Sequence, residues 1–267
     1  MTAWLLASAL LAAGAGVRLA DIPWTEAEKT LLPDRIVVLP LGAGVKEHGP
    51  HLPLRNDEIL ADYLAARVVA ARAVALLPTL TYGHYPAFLD YPGSVSLSFE
   101  TQRALVVEIC RSIAHYGPRR FYVLNTGVST LKPLEAAAAT LQGEGVLLRF
   151  TDILKAGKET EDRVRQQEAG SHADEIETSM LLYIKPEVVR MDRAARDGLP
   201  EKPGPLVREP KAGAHHSPSG VFGDATLATA EKGRAVVEAV VADVLRELDA
   251  LAAAPLPEGQ LRSPLER

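Results

Sequence analysis

Asp34-Arg35-Ile36-Val37-Val38-Leu39-Pro40-Leu41 is a short apolar run rich in β-branched residues, and it stops at Gly42-Ala43-Gly44. A continuous apolar segment of that length, closed by a glycine-bearing turn, reads as a buried strand. Beyond it a helix is predicted from about Asp57, with Ile59, Leu60, Tyr63, Leu64, Val68 and Val69 on its inner face. The alternation then repeats. Residues 73–80 read as a second strand, a helix with Ser98 as its N-cap runs to about Ile113, and residues 120–124 form a third strand. A helix near 131–141 and a strand at 146–150 follow, then helices at 172–184 and 224–254. Strands alternating with helices imply right-handed crossovers, so the expected fold is a three-layer α/β/α unit with a mainly parallel sheet. Ligands of such sheets bind beyond the carboxyl ends of the strands, which points to the loops after Leu41 and Leu124.

The alternation fits one domain, residues 17–254 of a 267-residue chain. Its two ends differ in composition. Residues 4–15 are apolar and rich in small side chains, the length of a signal-peptide core and too short to span a bilayer. Although Met1-Thr2-Ala3 carries no Lys or Arg, residues 1–16 read as a cleavable leader, which places the protein in the periplasm or outside the cell and otherwise in the cytoplasm. Residues 255–267 are rich in proline and charge, a frayed tail or a partner contact. A net charge of −5 without any Lys/Arg block argues against nucleic acid as a partner. The single cysteine, Cys110, excludes an intramolecular disulfide and sits in an apolar helical stretch, where packing is the expected role.

Two polar clusters carry the chemistry. Lys46-Glu47-His48-Gly49-Pro50-His51-Leu52-Pro53-Leu54-Arg55-Asn56-Asp57 lies just past the first strand, in a loop stiffened by Gly49 and two prolines. Its imidazoles and carboxylates suit a divalent ion such as Zn²⁺ or Mn²⁺, which needs three or four such groups. The second cluster is Ser171-His172-Ala173-Asp174-Glu175-Ile176-Glu177-Thr178-Ser179. With a helix starting at Ser171, His172 and Glu175 share a face while Glu177 points elsewhere. His215-His216 is a further candidate ligand source, or simply an exposed pair on a loop. Gly42-Ala43-Gly44 begins like a dinucleotide fingerprint, but Glu47 takes the place of its third glycine. There is no Gly-x-Ser-x-Gly nucleophile elbow either.

These segments, in this order, resemble the creatininase (creatinine amidohydrolase) family over about residues 18–245. Gly44, His48-Gly49-Pro50-His51-Leu52-Pro53-Leu54 and Asp57 match its Gly-Ser-x-Glu-Gln-His-Gly-Pro-His-Leu-Pro-Leu…Asp signature. Asp90-Tyr91-Pro92-Gly93-Ser94 is similar to its Phe-Pro-Gly-Thr segment, and His172 to Ser179 to its His-Ala-Gly-Glu-x-Glu-Thr-Ser. Ser219-Gly220-Val221-Phe222-Gly223-Asp224 and Ala228-Thr229-Ala230-Glu231-Lys232-Gly233 fit its C-terminal motif. The resemblance implies a layered α/β/α fold, a homo-oligomer (usually a hexamer), and hydrolysis of a non-peptide carbon–nitrogen bond at a two-metal centre. This sequence departs from the pattern where Lys46 aligns with a family metal-binding glutamate and Gly127 with a family histidine. What it retains implies one ion, Zn²⁺ or Mn²⁺ with iron possible as well, held by His48, Asp57 and Glu175. His172 would then protonate the leaving nitrogen, Lys46 would orient a carbonyl or stabilise an oxyanion, and Glu177 would join the catalytic groups. The expected substrate is a small cyclic or terminal amide. The alternative is a non-catalytic binding or assembly protein that keeps the fold after losing the dinuclear centre.

Overall fold

A computed structural model describes residues 15–198 and 206–263. The predicted leader lies outside the described residues except for Ala15 and Gly16. From Gly16 onward the backbone is already engaged, because the Gly16 amide donates to the carbonyl of Val69 at 2.7 Å.

The sheet has five parallel strands: β1 (Val17–Arg18), β2 (Ile36–Leu41), β3 (Ala75–Leu76), β4 (Arg120–Asn125) and β5 (Leu147–Phe150). Their order is β1-β3-β2-β4-β5. Both faces are covered, as a parallel sheet requires. Along β4, Tyr122 and Leu124 point to a core shared with α2 (Asn56–Ala71), α6 (Glu175–Ile184) and α7 (Ala230–Ala253). Phe121 and Val123 point the other way, toward α3 (Phe99–Ala114) and α4 (Leu131–Gln142). That period of two is the three-layer architecture expected from the alternation. Cys110 is fully buried in the second core, where burial pushes its thiol pKa well up, as a packing residue requires.

Four element boundaries differ from the sequence reading. The second predicted strand survives as two residues, with one further bridge between Leu41 and Leu80. Pro40 supplies no amide to this side of β2, where its carbonyl accepts from Leu80, and Pro78 supplies none in return. Helix α6 starts at Glu175 and not near Ser171, because the Asp174 side chain accepts from the amides of Ile176 and Glu177 and so acts as the N-cap. Helix α7 starts at Ala230, six residues later than expected, with Thr229 capping through Lys232. The C-terminal segment is not loose over its described part: Gly259 bridges Glu144, Leu261 packs on the second core, and Arg262 approaches Glu144. Two short helices, α1 (Trp24–Thr30) and α5 (Lys158–Val164), and two small strand pairs, Arg196–Asp197 with Gly223–Asp224 and Leu206–Val207 with His215–His216, lie outside this framework.

Candidate metal centre

The loop after β2 brings the first cluster to the carboxyl end of the sheet, where α2 begins with Asp57 in its first turn. Close approach fixes this corner. A Cβ on Gly42 would lie 2.3 Å from the backbone oxygen of Asp57, so only glycine lets the strand end pass so near the helix start. The Thr126 hydroxyl donates to that same oxygen, and the Glu58 amide to the Ala43 carbonyl. Asp57 is therefore held by its backbone before its side chain makes any contact.

The second cluster arrives from the other end of the chain. Ala173 has φ of +48°, the one non-glycine residue with positive φ among those described. This left-handed turn, with Asp174 as N-cap, sets His172 outside the helix, and His172 pairs with Phe222 in an antiparallel bridge. His172 and Glu175 consequently do not share a face. Glu177 is the residue that meets His172, with Oε2 3.6 Å from Nδ1. Potential ligand atoms of His48, His172 and Glu177 all lie within 4.8 Å of one another.

The expected Glu175 is elsewhere. Its carboxylate is fully buried, 2.5 Å from the Lys232 ammonium, and it accepts the amides of Gln166 and Gln167. Asp57 lies beside the three-residue cluster but is also engaged: Oδ1 is 2.7 Å from His48 Nε2, and Oδ2 is 2.7 Å from Lys46 Nζ. Burial alone would raise the Asp57 pKa, but Lys46 and His48 together hold the carboxyl far below the ordinary range. Lys46 itself is buried, with its ammonium 4.8 Å from the Phe88 ring centroid and 5.5 Å from that of Tyr85. His215 lines the same cavity but stands outside the three-residue cluster, while His216 is exposed.

The hydrogen bonds define which nitrogens could hold an ion. His172 Nε2 faces two acceptors, the Glu47 carbonyl at 2.9 Å and Glu47 Oε2 at 3.0 Å, so Nε2 carries the proton and Nδ1 is left toward Glu177. His48 Nδ1 faces the Lys46 carbonyl at 2.9 Å, which puts a proton there and leaves Nε2 opposite Asp57. A lone pair aimed at a carboxylate demands a proton or a cation between them. Imidazoles oriented by carbonyl and carboxylate partners are the usual support of a metal ligand, and three protein ligands leave a position for water. The donor set fits a divalent ion. Glu47 was quoted in the sequence cluster without a role; only the fold shows it bound to His172, 125 residues away.

Lys46, His172, Glu177 and His215 line a cavity of about 640 Å³ at the carboxyl ends of β2, β4 and β5, and His48 and Asp57 are buried next to them. Its walls include Phe88, Ser129, Leu154, Met180 and Phe222.

The family sequence model described as creatinine amidohydrolase matches residues 20–248. The chain belongs to the creatininase family. Family members are metal-dependent hydrolases acting on carbon–nitrogen bonds. The mycofactocin precursor peptide peptidase of Mycobacterium ulcerans (strain Agy99) is 31% identical over 236 residues, 84% of this chain and 88% of the relative. The creatinine amidohydrolase of Pseudomonas putida is 26% identical over 249 residues, 85% of this chain and 95% of the relative. A solved creatininase structure with Mn in its description superposes with a TM-score of 0.77 at 22% identity, covering 90% of this chain and all of that one. That structural likeness confirms the creatininase-like α/β fold.

Proposed function

We propose that this creatininase-family chain hydrolyses the carbon–nitrogen bond of an amide with one divalent ion, Zn²⁺ or Mn²⁺, held by His48, His172 and Glu177. The observation that carries this reading is the convergence of those three side chains, with oriented nitrogens, beside an open cavity that His172 and Glu177 line. A bound ion would supply an activated water and polarise the scissile carbonyl. His172 stays in the chemistry as a ligand and gives up the role of proton donor, since one nitrogen faces the ion site and Glu47 holds the other. Lys46 has three N–H donors, of which Asp57 takes one, and it lines the cavity, so it can still donate to a substrate oxygen.

The volume supports a substrate larger than the small cyclic or terminal amide expected from the resemblance. Pockets of 300 to 1,000 Å³ enclose drug-sized ligands, and about 640 Å³ sits inside that range. A linear, peptide-like amide fits better, in keeping with a relative described as a peptide peptidase. The leader over residues 1–16 makes an extracytoplasmic site of action part of the proposal, and cell fractionation checks it. A homo-oligomer is also proposed, and sedimentation checks that.

The test is elemental analysis of protein purified without a His tag or added metal, followed by a screen of linear and cyclic amides. About one equivalent, lost in H48A and E177A, together with turnover of an amide, is the expected result. No ion after reconstitution would instead favour the non-catalytic binding protein.

A further inference from the structure

The geometry points to Lys46 as a resident cation: we propose that its ammonium neutralises Asp57 in place of a second divalent ion, and that removing it opens a second ion site. The proposal deepens the single-ion reading and shares its cavity, but it depends only on the difference between variant and wild type. Lys46 and Asp57 are 4% and 1% exposed, so neither charge is relieved by solvent. A buried carboxylate without a compensating charge is costly, and here the compensation is one ammonium 2.7 Å from Oδ2 and the His48 ring 2.7 Å from Oδ1. The ammonium is in turn roofed by the Phe88 and Tyr85 rings, whose negative faces suit a cation of either kind.

Asp57 cannot swing away when Lys46 is removed. Its backbone carbonyl is held by the Thr126 hydroxyl and wedged against Gly42, and Asn56 Nδ2 donates to Oδ1 at 3.3 Å. Truncating Lys46 would therefore leave a fixed carboxylate oxygen, an adjacent imidazole and a lysine-sized space open to the cavity. A second ion there would be held by the Asp57 carboxylate with water completing its shell, since His48 Nε2 serves the first ion.

The experiment counts Mn²⁺ and Zn²⁺ per chain, by elemental analysis after dialysis against metal-free buffer plus a defined excess of each ion. Wild type, K46A, K46A/D57N and K46M/D57N are compared, and thermal unfolding is followed with and without the ion. K46A is expected to retain one equivalent more than wild type and to regain with metal the Tm it loses without it. K46A/D57N should lose that extra equivalent, and K46M/D57N should fold and bind as wild type does. An unchanged count in K46A, with no metal-dependent gain in Tm beyond wild type's own, would overturn the proposal. So would a K46A chain that stays unfolded with metal present while K46M/D57N folds. A wild type that binds nothing would defeat the single-ion function, yet it would leave the K46A increment readable.

Discussion

Two lysine–carboxylate pairs, each with a buried carboxylate, lie at the ends of α6 and α2, and they behave differently. Lys232 gives all three ammonium donors to fixed acceptors, Glu175 Oε1, Gln166 Oε1 and the Leu227 carbonyl, while Glu175 also accepts two backbone amides. That pair is saturated, and it straps the 166–167 loop to α6 and α7. Lys46 reaches one carboxylate oxygen and two aromatic faces, and it lines a cavity. Equal chemistry thus yields a structural tie in one place and a reactive corner in the other. The deciding quantity is the number of partners each group has left over.

Several substitutions test that contrast. The largest effect should come from the cavity side: H48A or E177A should lose the bound ion and hydrolysis together, and in E177A thermal unfolding of the ion-free protein should stay close to that of ion-free wild type. Breaking the saturated pair should do the reverse. K232M leaves Glu175 charged and buried, which costs about 3–5 kcal/mol in urea unfolding, with ion content unchanged. If K232M or E175Q released the ion, the division between the two pairs would fail. E47Q should keep the fold but weaken ion affinity by about 10- to 100-fold in a competition titration with a chelator, because it loosens the group that orients His172.

The smallest effect is a pH dependence beside the cavity. Burial lowers the His51 pKa to about 4 from its ordinary 6.5, with neighbouring histidines adding to the fall and Glu177 opposing it. Between those values the unfolded chain binds the proton and the folded chain does not. The stability contributed by neutral His51 is therefore complete above pH 6.5 and lost as pH falls toward 4. In H51Q, Tm measured over that interval should fall less steeply with acid than in wild type.

The apolar run before Gly42 and the capped helix at Ser98 were legible in the sequence because burial and capping leave local patterns. Lys46, His48 and His172 were singled out through the resemblance of their segments to the family's motifs, and the fold brings them to one corner with Asp57. The choice between Glu175 and Glu177 was not legible. It depends on a helix start set by Asp174 and on the left-handed Ala173, a conformation that an alanine in sequence does not announce. Nor could spacing reveal Glu47 as the partner of His172, or Lys232 as the partner of Glu175, since each pair joins remote segments. The shortened β3 could have been foreseen from Pro40 and Pro78, whose missing amides fall between the same two strands.

The hydrogen bonds that join the two halves of the proposed ion site, Glu47 to His172 and His51 to Thr178, close loops of 125 and 127 residues. Closures of that length come late, after the local β2–α2 and α6–α7 units have supplied surfaces to dock. A nascent or partly folded chain therefore holds no assembled ion site. An ion at the proposed site would lock the finished fold without seeding it, so added metal should slow unfolding while leaving the rate of refolding nearly unchanged.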